Sequence, residues 1–176
     1  MINFYIVQAL GIITLLLFAL SMHQRKKETF LLLQIFAAAL YVIQYILTDK
    51  ITGAVIFSIV VIRGLVFFYY KKKNKKPSSI ILAIFLSALA ISTYFTWQNY
   101  LSIIPYIATS AITWGTWQDN MRLTRKTTLL GRSISIIYNF AAGMYTSAIT
   151  EVCVTISTLI AIWRYDYNNK KKERNI

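Results

Sequence analysis

Apolar residues in this chain occur in seven long runs that are separated by short polar segments. About 20 helical residues, at about 1.5 Å each, cross a hydrocarbon core about 30 Å thick, and about 17 suffice in a thin region. The runs approach or reach that length, so each is predicted to be a membrane-spanning helix. The predicted spans are 4–22, 29–47, 51–70, 79–97, 101–117, 129–145 and 149–163.

The composition supports lipid as the solvent for these runs. Apolar residues make up 57% of the chain, charged residues only 14%, and the mean hydropathy is +0.54. A soluble domain with this composition would expose large apolar patches, whereas a bilayer accepts them. The first 22 residues lack the basic start and small-residue cleavage site of a signal peptide, so we expect them to be retained as a span.

The 19 Lys and Arg residues are distributed unevenly between the predicted loops. Sixteen of them follow spans one, three, five and seven, while the loops after spans two, four and six contain only Lys50. Because positive loops stay in the cytoplasm during insertion, the N-terminus is predicted to lie outside and the C-terminus inside. The basic clusters are also expected to contact anionic lipid. Their placement between apolar runs argues against nucleic acid as a partner, despite a net charge of +13.

The sequence shows no arrangement of residues typical of catalysis. It contains a single histidine, a single cysteine within an apolar run, no glycine-rich phosphate loop and no serine or cysteine beside a plausible base. We therefore predict no enzyme activity, no catalytic residue, no cofactor, no metal site and no disulfide framework.

Several polar residues lie inside the predicted spans, where hydrocarbon offers no hydrogen bonds. Arg63 lies about 10 Å of helix from the inner end of span three, so it is expected either to line a cavity or to bind a backbone carbonyl or a tyrosine. Arg132, near the inner end of span six, is expected to snorkel to water. Glu151, in the first turn of span seven, either faces the helix dipole or lines a cavity as a proton- or cation-responsive group.

Amide and hydroxyl side chains extend this set. Asn139 and Gln44 either join helices or bind a polar solute, and helix packing is the favoured interpretation for both. Thr113 lies in the small-residue stretch of span five, where it either allows close packing or contributes to a kinked wall. Trp114 lies slightly deeper than the aromatic residues at the span ends, and Tyr138 precedes Asn139.

Spans one to three and five to seven share one layout: a span, a basic loop, a span, a tight outer turn and a span. We therefore predict an all-α polytopic bundle of seven transmembrane helices in a 3+1+3 arrangement. Its parts are a first three-helix half at 1–76, a linker helix at 77–99, a second half at 100–168 and a basic cytoplasmic tail at 169–176. This layout resembles the sugar-transporting SWEET family, although the proline–glutamine pair of the related PQ-loop proteins is missing.

The second half resembles the YgjV-type bacterial inner-membrane proteins. The resemblance is carried by the following residues: Thr113-Trp114, Arg122, Tyr138-Asn139-Phe140, Ala142-Gly143, Glu151 and Arg164, together with the intramembrane Arg63. Where that family often has asparagine, this chain has Thr158. The resemblance implies a multi-pass protein of the bacterial inner membrane, and it implies no particular activity.

These observations lead to two functional hypotheses. The first is a transporter of a small polar solute, with a cavity between the halves lined by Arg63, Asn139, Glu151, Gln44, Tyr138, Thr113 and Trp114. The second is an accessory or scaffold protein that binds another membrane protein or lipid. The bilayer is a partner under both hypotheses, and the sequence leaves open whether the chain forms a homo-oligomer.

Overall fold

The computed structural model describes residues 2–48, 51–95, 97, 100–141 and 145–167. The predicted tail at 169–176 and the Ala142-Gly143 pair lie outside these residues. Within the described part, the chain is all-helical, and a single-turn 3₁₀ helix at Tyr100–Ser102 and a π-helical segment at Ile162–Tyr167 flank the longer helices. Those helices are α1 (Ile2–Met22), α2 (Lys27–Leu47), α3 (Ile51–Lys72), α4 (Ser79–Phe95), α5 (Ile103–Trp117), α6 (Met121–Ala141) and α7 (Tyr145–Ala161).

Four of these helices are long and apolar enough to cross a membrane. They comprise the segments Tyr5–Met22, Lys27–Leu47, Ala54–Lys72 and Ala148–Tyr167, in α1, α2, α3 and α7 with its π-helical extension. Helix α4 is apolar but has only 17 residues, and α5 has 15. The all-helical membrane protein predicted from the sequence is therefore confirmed, while the count of seven spans and the 3+1+3 arrangement stay predictions.

The start of α6 differs most from the sequence-based prediction. The helix begins at Met121 and not at 129. The side-chain oxygen of Asn120 accepts a hydrogen bond from the backbone N–H of Arg122 at 2.9 Å, as a helix cap does. The first two turns are polar, so hydropathy alone placed them in a loop. Arg132 is consequently the twelfth of 21 residues, in the middle of the helix and not near its inner end.

The start of α7 differs in the same way. The helix begins at Tyr145, which was predicted to end span six, and it includes residues 146–148, which were predicted to connect spans six and seven. Glu151 is therefore the seventh residue of α7, beyond the first turn in which the sequence placed it. Because the helix dipole acts mainly within the first turn, its effect on Glu151 is reduced.

The helices form a closed ring in chain order. Each helix packs against the next, and α7 packs against α1. Two glycines allow α5 and α6 to approach closely: a Cβ on Gly115 would lie 1.6 Å from the hydroxyl of Thr127, and one on Gly131 would lie 2.6 Å from the carbonyl oxygen of Ala108. The outward side chains are largely apolar, as lipid contact requires.

Candidate functional site

Arg63, in α3, is buried among the helices and contacts α5, which is not one of its two neighbours in the ring. It is 5% exposed, and its guanidinium donates a hydrogen bond to the hydroxyl of Thr113 in α5. That hydroxyl donates in turn to the carbonyl of Thr109 at 2.7 Å. The Nε of Arg63 has no hydrogen-bond partner. The sequence left open whether Arg63 lines a cavity or binds a backbone carbonyl or a tyrosine, and its partner in the structure is a threonine hydroxyl.

Two further polar contacts connect α2 and α3 with the start of α6 and the loop before it. The Nζ of Lys27 donates to the hydroxyl of Thr124 at 2.6 Å, and Lys71 pairs with Asp119 at 3.1 Å. Thr124 also donates to the carbonyl of Gly115 at 2.8 Å, which ties α6 to α5. We call the three pairs Arg63–Thr113, Lys27–Thr124 and Lys71–Asp119 the polar seam. We call the end of the bundle that carries the basic loops the basic end. The polar seam runs from the basic end toward the middle of α3.

A narrow crevice opens beside the polar seam at the basic end. Its volume is about 10 Å³, which is room for about one water molecule. Its charged lining consists of Lys27, Lys71, Lys75 and Asp119, with Phe67, Thr116 and Trp117 among the remaining residues. The lining is therefore net positive.

Glu151 and Arg132 form an ion pair within the bundle. The Arg132 guanidinium donates to a carboxylate oxygen of Glu151 at 2.7 Å, and the two side chains are 9% and 23% exposed. The guanidinium also lies 5.0 Å from the ring centre of Phe18 in α1. Arg132 does not snorkel to water as the sequence suggested, because the longer α6 places it mid-helix. The Nε of Arg132 has no partner.

The other predicted site residues are dispersed. Asn139 is buried at 9% exposure and Tyr138 is half-buried. Gln44 is half-buried, and its amide group packs against Gly11, where an added Cβ would lie 3.3 Å from the amide nitrogen. The side-chain carbonyl oxygen of Gln44 has no hydrogen-bond partner. Trp114 is 40% exposed. Among the predicted site residues, the described contacts join only Arg63 and Thr113.

Arg125 is an important residue whose burial the sequence did not predict. It is 2% exposed and donates to the carbonyl oxygens of Met22 at 3.0 Å and Gln24 at 2.8 Å and to the carboxylate of Asp166 at 2.7 Å. It thereby joins α6 to the end of α1 and to the π-helical segment. From the sequence, Arg125 is predicted to be a cation in the loop before span six, which was predicted to begin at 129.

A helical pattern in the sequence could have revealed the inner face of α6. Its buried positions recur at helical spacing: Thr124, Thr127, Thr128, Gly131 and Arg132. In a soluble protein this polar stripe would face water, whereas here it faces the bundle, and the apolar positions Leu130 and Ile137 are exposed. The periodicity is visible in the sequence, but in a membrane the polar face of the helix is the buried one and the apolar face is the exposed one.

His23, just after α1, lies among cations at the basic end. Its Nε2 is 3.2 Å from the hydroxyl of Ser157, which also donates to the carbonyl of Ala19. Burial, followed by the positive charges of Arg164 and Arg125, lowers the pKa of His23. The neutral imidazole is therefore the form that suits this environment.

The described residues contain no group of three or more His, Cys, Asp or Glu side chains that could hold a metal ion. Cys153 is exposed, and its thiol is free. The described interior provides hydrogen bonds and charge pairs from arginine, lysine, threonine, aspartate and glutamate side chains.

A comparison with protein families adds one relationship to this geometry. The family model Imp-YgjV, described as a bacterial inner membrane protein, matches residues 5–169. No curated protein and no solved structure matches the chain.

Proposed function

The chain belongs to the Imp-YgjV family of bacterial inner-membrane proteins, and from this premise we propose that it moves a small polar solute across that membrane. The observation that supports the proposal is the location of the polar seam. All three of its pairs connect the group α1–α3, or residues at its basic end, with α5, α6 or the loop between them. The solute would pass along this boundary.

The energetic cost of the two buried pairs of the polar seam, Arg63–Thr113 and Lys27–Thr124, is the reason to assign it a function. A buried polar or ionic contact is often no more stabilising than a well-packed apolar one, and inside a bilayer the cost of a charged side chain is high. A bundle that only had to hold together could use apolar residues here. Polar pairs, in contrast, can exchange partners with a passing solute.

The proposal includes the orientation and the two-half layout inferred from the sequence. With the N-terminus outside, the basic end and its crevice face the cytoplasm. The two groups α1–α3 and α5–α7 would rock relative to each other, with α4 as the connecting helix, as in transporters built from parallel repeats. The three pairs of the polar seam would act as the inner gate.

Flux measurements on Arg63→Met and Thr113→Val proteins test the proposal. The second substitution removes one hydroxyl at nearly constant size. The matched control is Ser58→Ala, which removes a hydroxyl of α3 that bonds only to the carbonyl of Ala54 in its own helix. In proteoliposomes loaded with a labelled metabolite mixture, the wild-type protein and the control should exchange a solute, and the two seam variants should lose at least about 90% of that rate.

The same experiment can contradict the proposal. If the wild-type protein exchanges no component of a broad metabolite mixture, in either direction and with or without a pH gradient, transport is the wrong function. If Thr113→Val transports as well as Ser58→Ala, the polar seam is not part of the path.

A second function, an accessory or scaffold role toward another membrane protein or lipid, is favoured by one specific observation. Each charged side chain of the polar seam has at least one partner inside the protein, and the crevice beside them has room for only about one water molecule. This role predicts a stable partner recovered by crosslinking from membranes. Arg63→Met would then weaken folding and partner recovery together, with no flux to lose.

A further inference from the structure

We propose that the crevice at the basic end of the polar seam is a binding site for a small anion, such as chloride, phosphate or a short carboxylate. Its use in transport depends on the proposed function, but the binding site itself does not. Three observations support an anion: the charge of the lining, the unmet donors of Lys27 and Arg63, and the displaceable carboxylate of Asp119.

The lining of the crevice has an excess of positive charge. It contains three lysines, Lys27, Lys71 and Lys75, against the single carboxylate of Asp119. A fourth lysine, Lys76, lies 3.7 Å from the ring centre of Trp117, another lining residue. Clefts lined by one sign of charge concentrate the opposite ion.

Lys27 is the strongest indication because it is buried and its direct hydrogen-bond partner is neutral, while the nearest carboxylate, Asp119, pairs with Lys71. It is 6% exposed, and the hydroxyl of Thr124 is a neutral partner. A lysine ammonium has three donors, and a buried charge is stabilised by pairing with an opposite charge. The ring of Phe30, 5.1 Å from the Nζ, offers a weaker contact. An anion in the crevice would supply the missing charge.

Arg63 provides a second unmet donor deeper along the seam. It lies one helical turn from Phe67, about 6 Å along α3, and Phe67 lines the crevice. Its Nε has no partner although the side chain is nearly fully buried. Lys71, Phe67 and Arg63 thus follow one face of α3 from the basic end inward, with a cation at each end of the series.

Asp119 already places a carboxylate where the anion would bind. Its pair with Lys71 is solvent-exposed, with side-chain exposures of 30% and 53%, and such pairs contribute only about 0 to 1 kcal/mol. Asp119 lies in the short loop between α5 and α6, so it can move away from Lys71 without disturbing a helix. An entering anion would displace it, and this displacement would also widen the narrow crevice.

Calorimetric titration of the purified full chain in detergent tests the inference. Sodium chloride, sodium phosphate and sodium acetate are titrated at constant ionic strength, with gluconate as the bulky reference anion. At least one small anion should bind with a stoichiometry of one. Lys27→Met should weaken binding by at least about tenfold, because it removes a charge-assisted contact. The matched control Lys72→Met removes an exposed lysine at the same end and should change the affinity by less than about twofold.

Asp119→Asn gives a prediction of opposite sign and should fold normally because the residue is exposed. Removing the competing carboxylate should strengthen anion binding by up to about fivefold. Equal losses in Lys27→Met and Lys72→Met would mean diffuse charge attraction and would overturn the inference. Unchanged or weakened binding in Asp119→Asn would overturn it as well.

The two proposals fail in distinguishable ways. Anion binding without flux in proteoliposomes would leave the crevice site standing and would remove transport. Flux of a neutral or cationic solute, with no heat of anion binding, would leave transport standing and would remove the anion site.

Discussion

The ion pair between Arg132 and Glu151 allows the structure to be tested quantitatively. Replacing Arg132 with methionine keeps the bulk of the side chain but leaves the Glu151 carboxylate without its partner. Breaking a buried pair costs about 3 to 5 kcal/mol. Glu151 is 23% exposed, which reduces the cost toward about 3 kcal/mol, and the lost contact with the Phe18 ring adds about 0.5 to 1 kcal/mol.

The double variant Arg132→Met/Glu151→Gln separates the interaction free energy of the pair from the individual effects of the two side chains. It leaves no unpaired charge inside the bundle, so it should recover most of the stability that Arg132→Met loses. The expected coupling free energy of the pair is therefore about 2 to 3 kcal/mol. The control Lys126→Met removes an exposed cation from the same helix and should cost less than about 0.5 kcal/mol.

Reversible unfolding of the protein in mixed detergent micelles, followed by circular dichroism, provides the free energies of unfolding for the wild-type protein and for four variants. These are Arg132→Met, Glu151→Gln, the double variant and the control Lys126→Met. Two results would refute the reasoning. One is a cost for Arg132→Met that does not exceed the cost for Lys126→Met. The other is additive losses in the double variant, which would mean that the two side chains do not interact in the folded protein.

Three further predictions follow from the structure. The single histidine, His23, should titrate below its ordinary pKa of about 6.5 in NMR spectra of the folded protein. Because the unfolded chain then binds the proton more readily, the free energy of unfolding should fall as the pH drops below about 6.5. This pH dependence should be weaker in His23→Gln. Gly115→Ala should destabilise the protein by about 1 to 3 kcal/mol or prevent folding, because the new Cβ would overlap Thr127. In the control Gly11→Ala, the new Cβ meets only the movable end of the Gln44 side chain, so stability should be nearly unchanged. Thermal unfolding of both variants provides the comparison. Reporter tags should place the N-terminus outside and the C-terminus in the cytoplasm, and tags in one compartment would contradict an odd number of spans.

Much of the helical architecture could be predicted because each apolar run is a local feature. Helices α1, α2 and α3 begin and end within about two residues of the predicted spans. The prediction was wrong at the start of α6, where two polar turns continue the helix. Those turns pack against Lys27 and the end of α1, and hydropathy along a single segment cannot register a contact made by a distant one.

The candidate site was predicted less completely than the fold. Arg63, Thr113 and Glu151 were identified from their positions in apolar runs, and each makes an interhelical polar contact. Arg125 was missed because a basic residue near a span end also serves as a topology signal, and the two roles look alike in one dimension.

The sequence by itself determined that the chain is a helical membrane protein, because the length and hydropathy of an apolar run are sufficient to favour lipid as its solvent. It also determined which polar residues would have to find partners there. Only the tertiary structure decided which partners they have, since Arg63 and Thr113 are 50 residues apart and Lys27 and Thr124 are 97 apart. The choice among such partners depends on how the helices are arranged around the ring, and helix arrangement is a property of packing between segments, not of any single segment.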